Sequence, residues 1–151
     1  MEINMKYRLI IDKEAEEEII ARVHSPSRLT DEIENLVNAY VGNDGITVSG
    51  ESEMFTLSFS DIECLTVLDR KVYAVDKDGK KHRISHRLCD LEPILPTYFI
   101  RINKSAIANE NRIAKFHTVY SGGVDAIFKS GCREYVSRRC FAEIKRRLNK
   151  R

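Results

Sequence analysis

Tryptophan is absent from the 151 residues, and proline and glycine are sparse, at three and seven. That scarcity excludes collagen-like and Pro/Gly-rich low-complexity chains. No apolar run approaches the ~20 residues of a membrane helix, so membrane insertion is not expected. The N-terminal MEINMKYRLIID lacks the charged-then-apolar layout and small-residue cleavage site of a signal peptide, and a cytoplasmic location follows as the expectation. The four cysteines, Cys64, Cys89, Cys132 and Cys140, contain no C-x-x-C pair. Reduced thiols packed as small apolar groups are expected, rather than zinc ligands or disulfides. His82 and His86 are four apart, but they straddle a strand-to-helix change, and no carboxylate or cysteine completes a metal set. There is no nucleophile elbow, no glycine-rich phosphate loop and no paired catalytic carboxylates. The chain is not expected to be an enzyme or to carry a cofactor.

What is present is a core and an uneven charge. Apolar residues make up 42%, enough for a folded domain. The net charge of +2 hides an asymmetry. Residues 1–45 hold 5 Lys/Arg against 10 Asp/Glu, whereas residues 101–151 hold 13 against 4. A basic C-terminal half beside an acidic N-terminal part points to a polyanionic partner for the former.

The hydrophobic period changes along the chain. Residues 5–12 alternate around Tyr7, Leu9 and Ile11 and read as a strand. Residues 18–24 fit a helix or a strand, and their β-branched content favours the strand. Ser25-Pro26-Ser27 breaks the pattern. Thr30 then reads as a helix N-cap, followed by an apolar stripe at Ile33, Leu36, Val37, Tyr40 and Val41. Turn residues 42–45 end that helix and mark the best domain boundary.

Beyond it, alternation predicts strands over 46–49, 54–59, 62–68, 72–75 and 81–84, with Phe55, Leu57 and Phe59 on one face. Asp78-Gly79 is a hairpin turn, because the pair suits φ > 0. A short helix is expected over 86–95 and a strand over 98–102. Another strand begins at Ile107. Strands at 113–120 and 124–128 flank a Ser121-Gly122-Gly123 turn, and 134–136 pairs again. The helix over 138–148 should turn Phe141, Ile144 and Leu148 inward, and Lys145, Arg146 and Arg147 outward. The fold class is therefore mostly β with small helices (α+β), a β-sheet domain over 46–151 preceded by a short β-β-α extension over 1–45.

From Asp61 onward the sequence resembles the LytTR-type DNA-binding domain of bacterial LytR/AlgR transcription regulators. Four segments stand in the family's order: DIECLTVLDRKVYAV at 61–75, HRLCDLEPIL at 86–95, YFIRINKSAIAN at 98–109, and GCREYVSRR at 131–139 followed by FAEIKRRL. The likeness spans about residues 46–151. Asn103-Lys104 departs from the His-Arg or similar pair of many members, which leaves the base favoured there open. Cys64 also departs from a usual small or polar residue. The resemblance implies an elongated β-sheet domain whose loops enter neighbouring major grooves of double-stranded DNA. It also implies binding as pairs to direct-repeat sites, with bending of the duplex.

By position in the family pattern, the 69–71 loop (Asp69, Arg70, Lys71), Lys104 and Arg139 match its base-facing places. Arg101, Ser105, Ser137 and Arg138 are expected to hold phosphates or support the loops, and Asn103 is a further DNA-binding candidate in the polar Asn103-Lys104-Ser105 segment. Arg and Lys suit both tasks, as charges toward phosphates and as donors toward guanine edges. Arg146, Arg147, Lys150 and Arg151 read as solubility charge.

Many family members carry a receiver domain ahead of the DNA-binding domain. About 45 residues cannot contain one, so the arrangement resembles the stand-alone form. The extension is expected to serve as a dimerisation element or to dock a regulatory protein partner; the alternative is a lid over an open sheet edge. Two other functions compete with DNA reading. An RNA-binding β module would expose stacking aromatics on its strands, whereas Phe55, Phe59 and Phe99 are expected to face inward. A protein-interaction adaptor would use the N-terminal helix and leave the basic face incidental. A small hydrolase ranks behind both.

Overall fold

The computed structural model describes residues 4–41, 44–120 and 122–149. A first helix α1 (Arg28–Val41) precedes ten strands. These are β1 (Gly45–Ser49), β2 (Met54–Ser58), β3 (Ile62–Leu68), β4 (Lys71–Asp76), β5 (Lys81–Ile84), β6 (Phe99–Asn103), β7 (Ala106–Asn109), β8 (Ile113–Thr118), β9 (Val124–Phe128) and β10 (Arg133–Val136). A one-turn helix α2 (Leu88–Leu91) lies between β5 and β6, and α3 (Arg138–Asn149) closes the chain. Seven strands form one antiparallel sheet in the order β2-β1-β5-β4-β3-β7-β6, and β10-β9-β8 form a second. The mostly β architecture with small helices agrees with the reading from sequence.

β3 and β7 lie inside the large sheet and are apolar on both faces. Leu65 and Ile107 join Val48, Val72, Ile84, Leu88 and Leu91 in one core. Cys64, Ala106 and Ala108 join Ile102, Val124, Phe128, Val136 and Ile144 in the other, beneath the small sheet and α3. A strand buried on both sides loses the polar alternation of a surface strand, which is why IECLTVL reads as a near-continuous apolar run.

The register of β3 against β4 slips between Ile62 and Cys64, a bulge that carries Glu63. Its side chain is fully buried. It accepts Arg112 Nη2 (3.1 Å), the Ser130 amide (3.2 Å) and the Ser130 hydroxyl. One carboxylate thus ties the large sheet to the turn entering β8 and to the β9–β10 turn. At the β4–β5 turn, Asp76 accepts the Asp78 and Lys80 amides (both 2.9 Å), while its second oxygen lies 2.7 Å from His82 Nε2. Gly79 follows with φ +83, the left-handed geometry expected of Asp-Gly.

Several expectations need correction. Residues 4–27 carry neither helix nor strand, so the strands expected over 5–12 and 18–24 are not formed in the single chain. A strand exists only through a neighbour, an isolated hairpin is marginal in water, and no edge of either sheet takes these segments up. The chain does turn at Lys13-Glu14, where the Glu14 amide donates to Asp12 Oδ1 (3.0 Å). α1 starts before Thr30: the Thr30 hydroxyl accepts the Ser27 amide (2.9 Å) and donates to the Ser27 carbonyl (2.8 Å), which makes Ser27 the cap. Ile33 and Val37 are half-buried, but Leu36 and Tyr40 face solvent. The side chain of Val41, the expected stop at Gly42-Asn43, Ser121 and the tail cations Lys150 and Arg151 lie outside the described residues.

Phe59 leaves β2 for a 3-10 turn and packs on Phe99 (ring centroids 5.8 Å), while Phe55 is partly exposed with its ring edge-on to His82. The helix expected over 86–95 shrinks to α2 plus a 3-10 turn at Glu92–Ile94 that contains Pro93, a residue that cannot donate to the preceding helical turn. Leu148 is exposed. Arg147 turns inward, donating to the Thr97 carbonyl (3.1 Å) and Glu110 Oε2 (3.3 Å). Cys64 is buried as a small apolar group, but Cys89 is exposed and Cys132 and Cys140 only half-buried.

Replacing Glu63 by Ala leaves the Arg112 guanidinium without its partner, and is expected to lower unfolding free energy by about 3 kcal/mol in urea denaturation. Burial raises the Asp76 carboxyl, but hydrogen bonds from His82 and the Lys80 and Asp78 amides outweigh it and hold the group below its ordinary range. Its charge therefore stabilises the fold above about pH 4, and the contribution is lost as pH falls through the lower native value. The stability gap between wild type and Asp76→Asn should be wide at neutral pH and close on acidification; a gap independent of pH would contradict this.

Candidate nucleic-acid interface

The register brings the three segments singled out in the sequence to one end of the sheets. β3 ends at Leu68, which pairs with Lys71 across a two-residue turn. The β6–β7 turn lies beside it, because the Val67 amide donates to the Ser105 carbonyl (2.8 Å). The β10–α3 junction follows, because the Ser137 amide donates to the Ile102 carbonyl (2.8 Å).

The first turn is under strain. Asp69 and Arg70 have φ of 51 and 65, the only non-glycine positive values among the described residues. A two-residue hairpin needs the left-handed region at both central positions, where Asn-Gly is usual. An arginine there carries a Cβ penalty of about 1–2 kcal/mol. In return, the tight turn projects Arg70 from the end of a strand that is buried on both faces.

The second turn is braced from within. Asn103 Oδ1 accepts the Ser105 amide (2.7 Å), and Asn103 Nδ2 donates to the Tyr135 carbonyl (2.6 Å). Arg101 donates to the Lys104 carbonyl (2.8 Å) and pairs with Glu92 (3.4 Å). Arg101 and Asn103 therefore shape the turn, and Lys104 stands exposed at its tip. Behind it, burial raises the Glu134 carboxyl against the hydrogen bonds from Asn103 and Thr66 that lower it, and the rise prevails. At the third segment, Ser137 caps α3: its hydroxyl accepts the Cys140 amide (3.2 Å) and its carbonyl the Phe141 amide (2.8 Å). Arg138 and Arg139 are exposed in the first turn of that helix.

Arg70, Lys71, Lys104, Arg138 and Arg139 have no ion pair or side-chain hydrogen bond among the described residues, unlike Arg101, Arg112 and Arg147. Five unneutralised cations at one end of a rigid β framework suit a polyanion. Asp69 interrupts this set with an exposed carboxylate.

A fourth turn joins the same end and was missed as a functional element. Val124 pairs with both Thr118 and Val136, so the β8–β9 turn lies next to the β10–α3 junction. A Cβ built on Gly122 would sit 3.4 Å from Arg138 Nη2. Tyr120 is fully exposed there. Its sequence signal was an aromatic two residues before Gly-Gly, and the glycines announced only a turn.

His82 and His86 do not converge, since His82 is buried against Asp76 and His86 is exposed. Among the described residues no three His, Cys, Asp or Glu side chains gather into a metal-binding group. No helix among them is long and apolar enough to cross a membrane.

A family model described as "LytTr DNA-binding domain" matches residues 52–149. Two curated relatives from Staphylococcus aureus, strains MSSA476 and NCTC 8325, are each described as an uncharacterized HTH-type transcriptional regulator. Each is 32% identical over 148 residues, covering 96% of this chain and 99% of the relative. A solved LytTr DNA-binding domain from Bacillus cereus superposes with a TM-score of 0.64 at 23% identity, covering 70% of this chain and 96% of that one. The helix-turn-helix label belongs to the relatives' names. Among the described residues of this chain no two α-helices are consecutive, and strands separate all three.

Replacing Arg70 by Gly removes the Cβ from a left-handed position and is expected to raise stability by about 1 kcal/mol. A thermal unfolding midpoint that falls instead would mean that the Arg70 side chain makes a compensating contact.

Proposed function

The chain belongs to the LytTr DNA-binding domain family, and we propose that it is a transcription regulator that reads duplex DNA through the turns at one end of its two sheets. The family is one of DNA-binding domains, not of enzymes. The observation that carries the proposal is the convergence of the 69–71, 103–105 and 137–139 segments, with their partnerless cations, on a framework that fixes their backbones.

Turns held in this way enter adjacent major grooves. Lys104 and Arg139 read base edges, with the 69–71 turn as a further reader. Arg138 holds phosphate, while Arg101, Asn103, Ser105 and Ser137 keep the turns in shape. The division follows from rigidity: base reading needs donors placed within a fraction of an ångström, whereas phosphate contact tolerates drift. The protein acts in the cytoplasm as a homodimer on repeated sites about one helical turn apart. An RNA-binding sheet is disfavoured, because Phe59 and Phe99 are buried and Phe55, though partly exposed, sets its ring against His82, so these three offer no row of stacking rings.

The test measures the ratio of affinities for a selected site and for random duplex. Arg139→Ala should lose about 1–3 kcal/mol on the selected site and relax the preference at one or two base pairs. Lys104→Ala should likewise lower the ratio. Arg138→Ala should weaken all duplexes alike and reduce the salt slope by about one unit, through one lost phosphate contact. An unchanged ratio for both Lys104→Ala and Arg139→Ala would remove them as reading residues.

A further inference from the structure

Eleven of the eighteen exposed large apolar side chains among the described residues lie in the first 41 positions. Eight of these belong to the segment before α1, among them Tyr7, Leu9, Ile11, Ile19 and Ile20. That segment comprises two stretches about the Lys13-Glu14 turn, neither of them paired. Next to them α1 is fixed to the domain, since Glu34 accepts the Thr97 hydroxyl (2.5 Å) and amide (3.3 Å). It turns Leu36 and Tyr40 outward at i, i+4 spacing. The protein thus presents an apolar, strand-patterned arm beside an apolar helix face, and nothing among the described residues covers either.

We propose that this arm is an interface for a second copy of the chain, in which residues 6–12 of the two copies pair antiparallel about Leu9. The sequence is complementary to itself in that register. Leu9 stands opposite its own copy, Tyr7 opposite Ile11 twice, and Lys6 opposite Asp12 twice. The Tyr7, Leu9 and Ile11 pairs then make one face apolar, while on the other face Lys6 meets Asp12 and Arg8 stands opposite Ile10. A register about Ile10 brings Lys13 inward from the margin, where it faces Met5 in the Leu9 register, and sets it opposite Tyr7. Two copies contribute four strands in place of one marginal hairpin, enough for a sheet with an apolar face, and the exposed Leu36 and Tyr40 of the two α1 helices offer it a cover. A dimer joined through this arm brings two reading heads together. The inference rests on the dimeric reading given under Proposed function, but not on which residues touch bases.

Sedimentation of the full chain without DNA tests it. The wild type is expected to be a dimer at micromolar concentration. Leu9→Asp, which sets two carboxylates against each other on the axis, is expected to give a monomer with an unchanged circular dichroism spectrum for the sheets, because Leu9 lies outside both cores. Lys6→Asp alone and Asp12→Lys alone place like charges opposite each other and should each weaken dimerisation about tenfold. Mixing these two variants should restore it, since each then meets an opposite charge. A monomeric wild type, a dimer indifferent to Leu9→Asp, or charge variants that do not rescue each other on mixing would overturn the proposal. Binding of Leu9→Asp to a duplex carrying one half-site keeps the two readings apart: wild-type affinity with a lost dimer supports the arm interface, whereas absent sequence preference in the dimeric wild type sinks the DNA reading alone.

Discussion

Glu63 is the constraint on which the arrangement of the two sheets rests. A fully buried carboxylate has no water to solvate it, so every oxygen must be matched by protein donors. The donors come from Arg112 and Ser130, the first just before β8 and the second in the β9–β10 turn. The small sheet is therefore docked on β3 by a polar contact with directional demands as well as by the second core. The bulge in β3 makes this possible. In an unbroken ladder Glu63 would alternate regularly with its neighbours; the slip between Ile62 and Cys64 re-aims it.

The opposite end of the same junction is held differently. There the tie is made of backbone groups, Ser137 amide to Ile102 carbonyl and Asn103 side chain to Tyr135 carbonyl. A charged clamp at one end and a hydrogen-bonded seam at the other fix the small sheet against rotation, so the turns at the seam hold their spacing. The polar residues then divide. Arg101, Asn103, Glu134 and Ser137 spend their hydrogen bonds on the protein, whereas Arg70, Lys71, Lys104, Arg138 and Arg139 have none among the described residues. Neither sequence position nor residue type makes that distinction: Arg101 and Lys104 are three residues apart, and one supports the backbone of the other.

The sequence made the strands from Ile46 to Val136 legible to within a residue or two, because alternation, Asp-Gly and Gly-Gly turns are local signals. The polar segments at 69–71, 103–105 and 137–139, which the fold brings to one end, were also legible, through motif resemblance and polar residues interrupting apolar strands. What escaped detection depends on distant partners. Arg147 reads as an outward cation until Glu110 and the Thr97 carbonyl are brought to it. Thr30 resembles a cap, yet its hydroxyl serves Ser27, and both readings fit the same Ser-x-x-Thr spacing. The turn bearing Tyr120 could be predicted as a turn but not as a neighbour of Arg138, since that proximity comes from the pairing of Val124 with both Thr118 and Val136.

The two strands expected before α1 failed for a different reason. Residues 5–12 alternate around Tyr7, Leu9 and Ile11, and residues 18–24 are rich in β-branched side chains, yet only segments such as β2 form strands. β2 has β1 as a neighbour in the register Met54 to Ser49, and the earlier segments have none. Alternation reports that a segment can bury one face in a sheet; it carries no statement about whose sheet. Where the pattern is strong and the folded chain leaves it unpaired, the missing quantity is a second strand rather than a better propensity. The strain at Asp69 and Arg70 has the same logic. A left-handed arginine is unfavourable to the folded chain taken alone and is tolerated because the two-sided burial of β3 over-determines the turn. In both places the isolated chain violates a local rule, and in both the residues concerned are exposed.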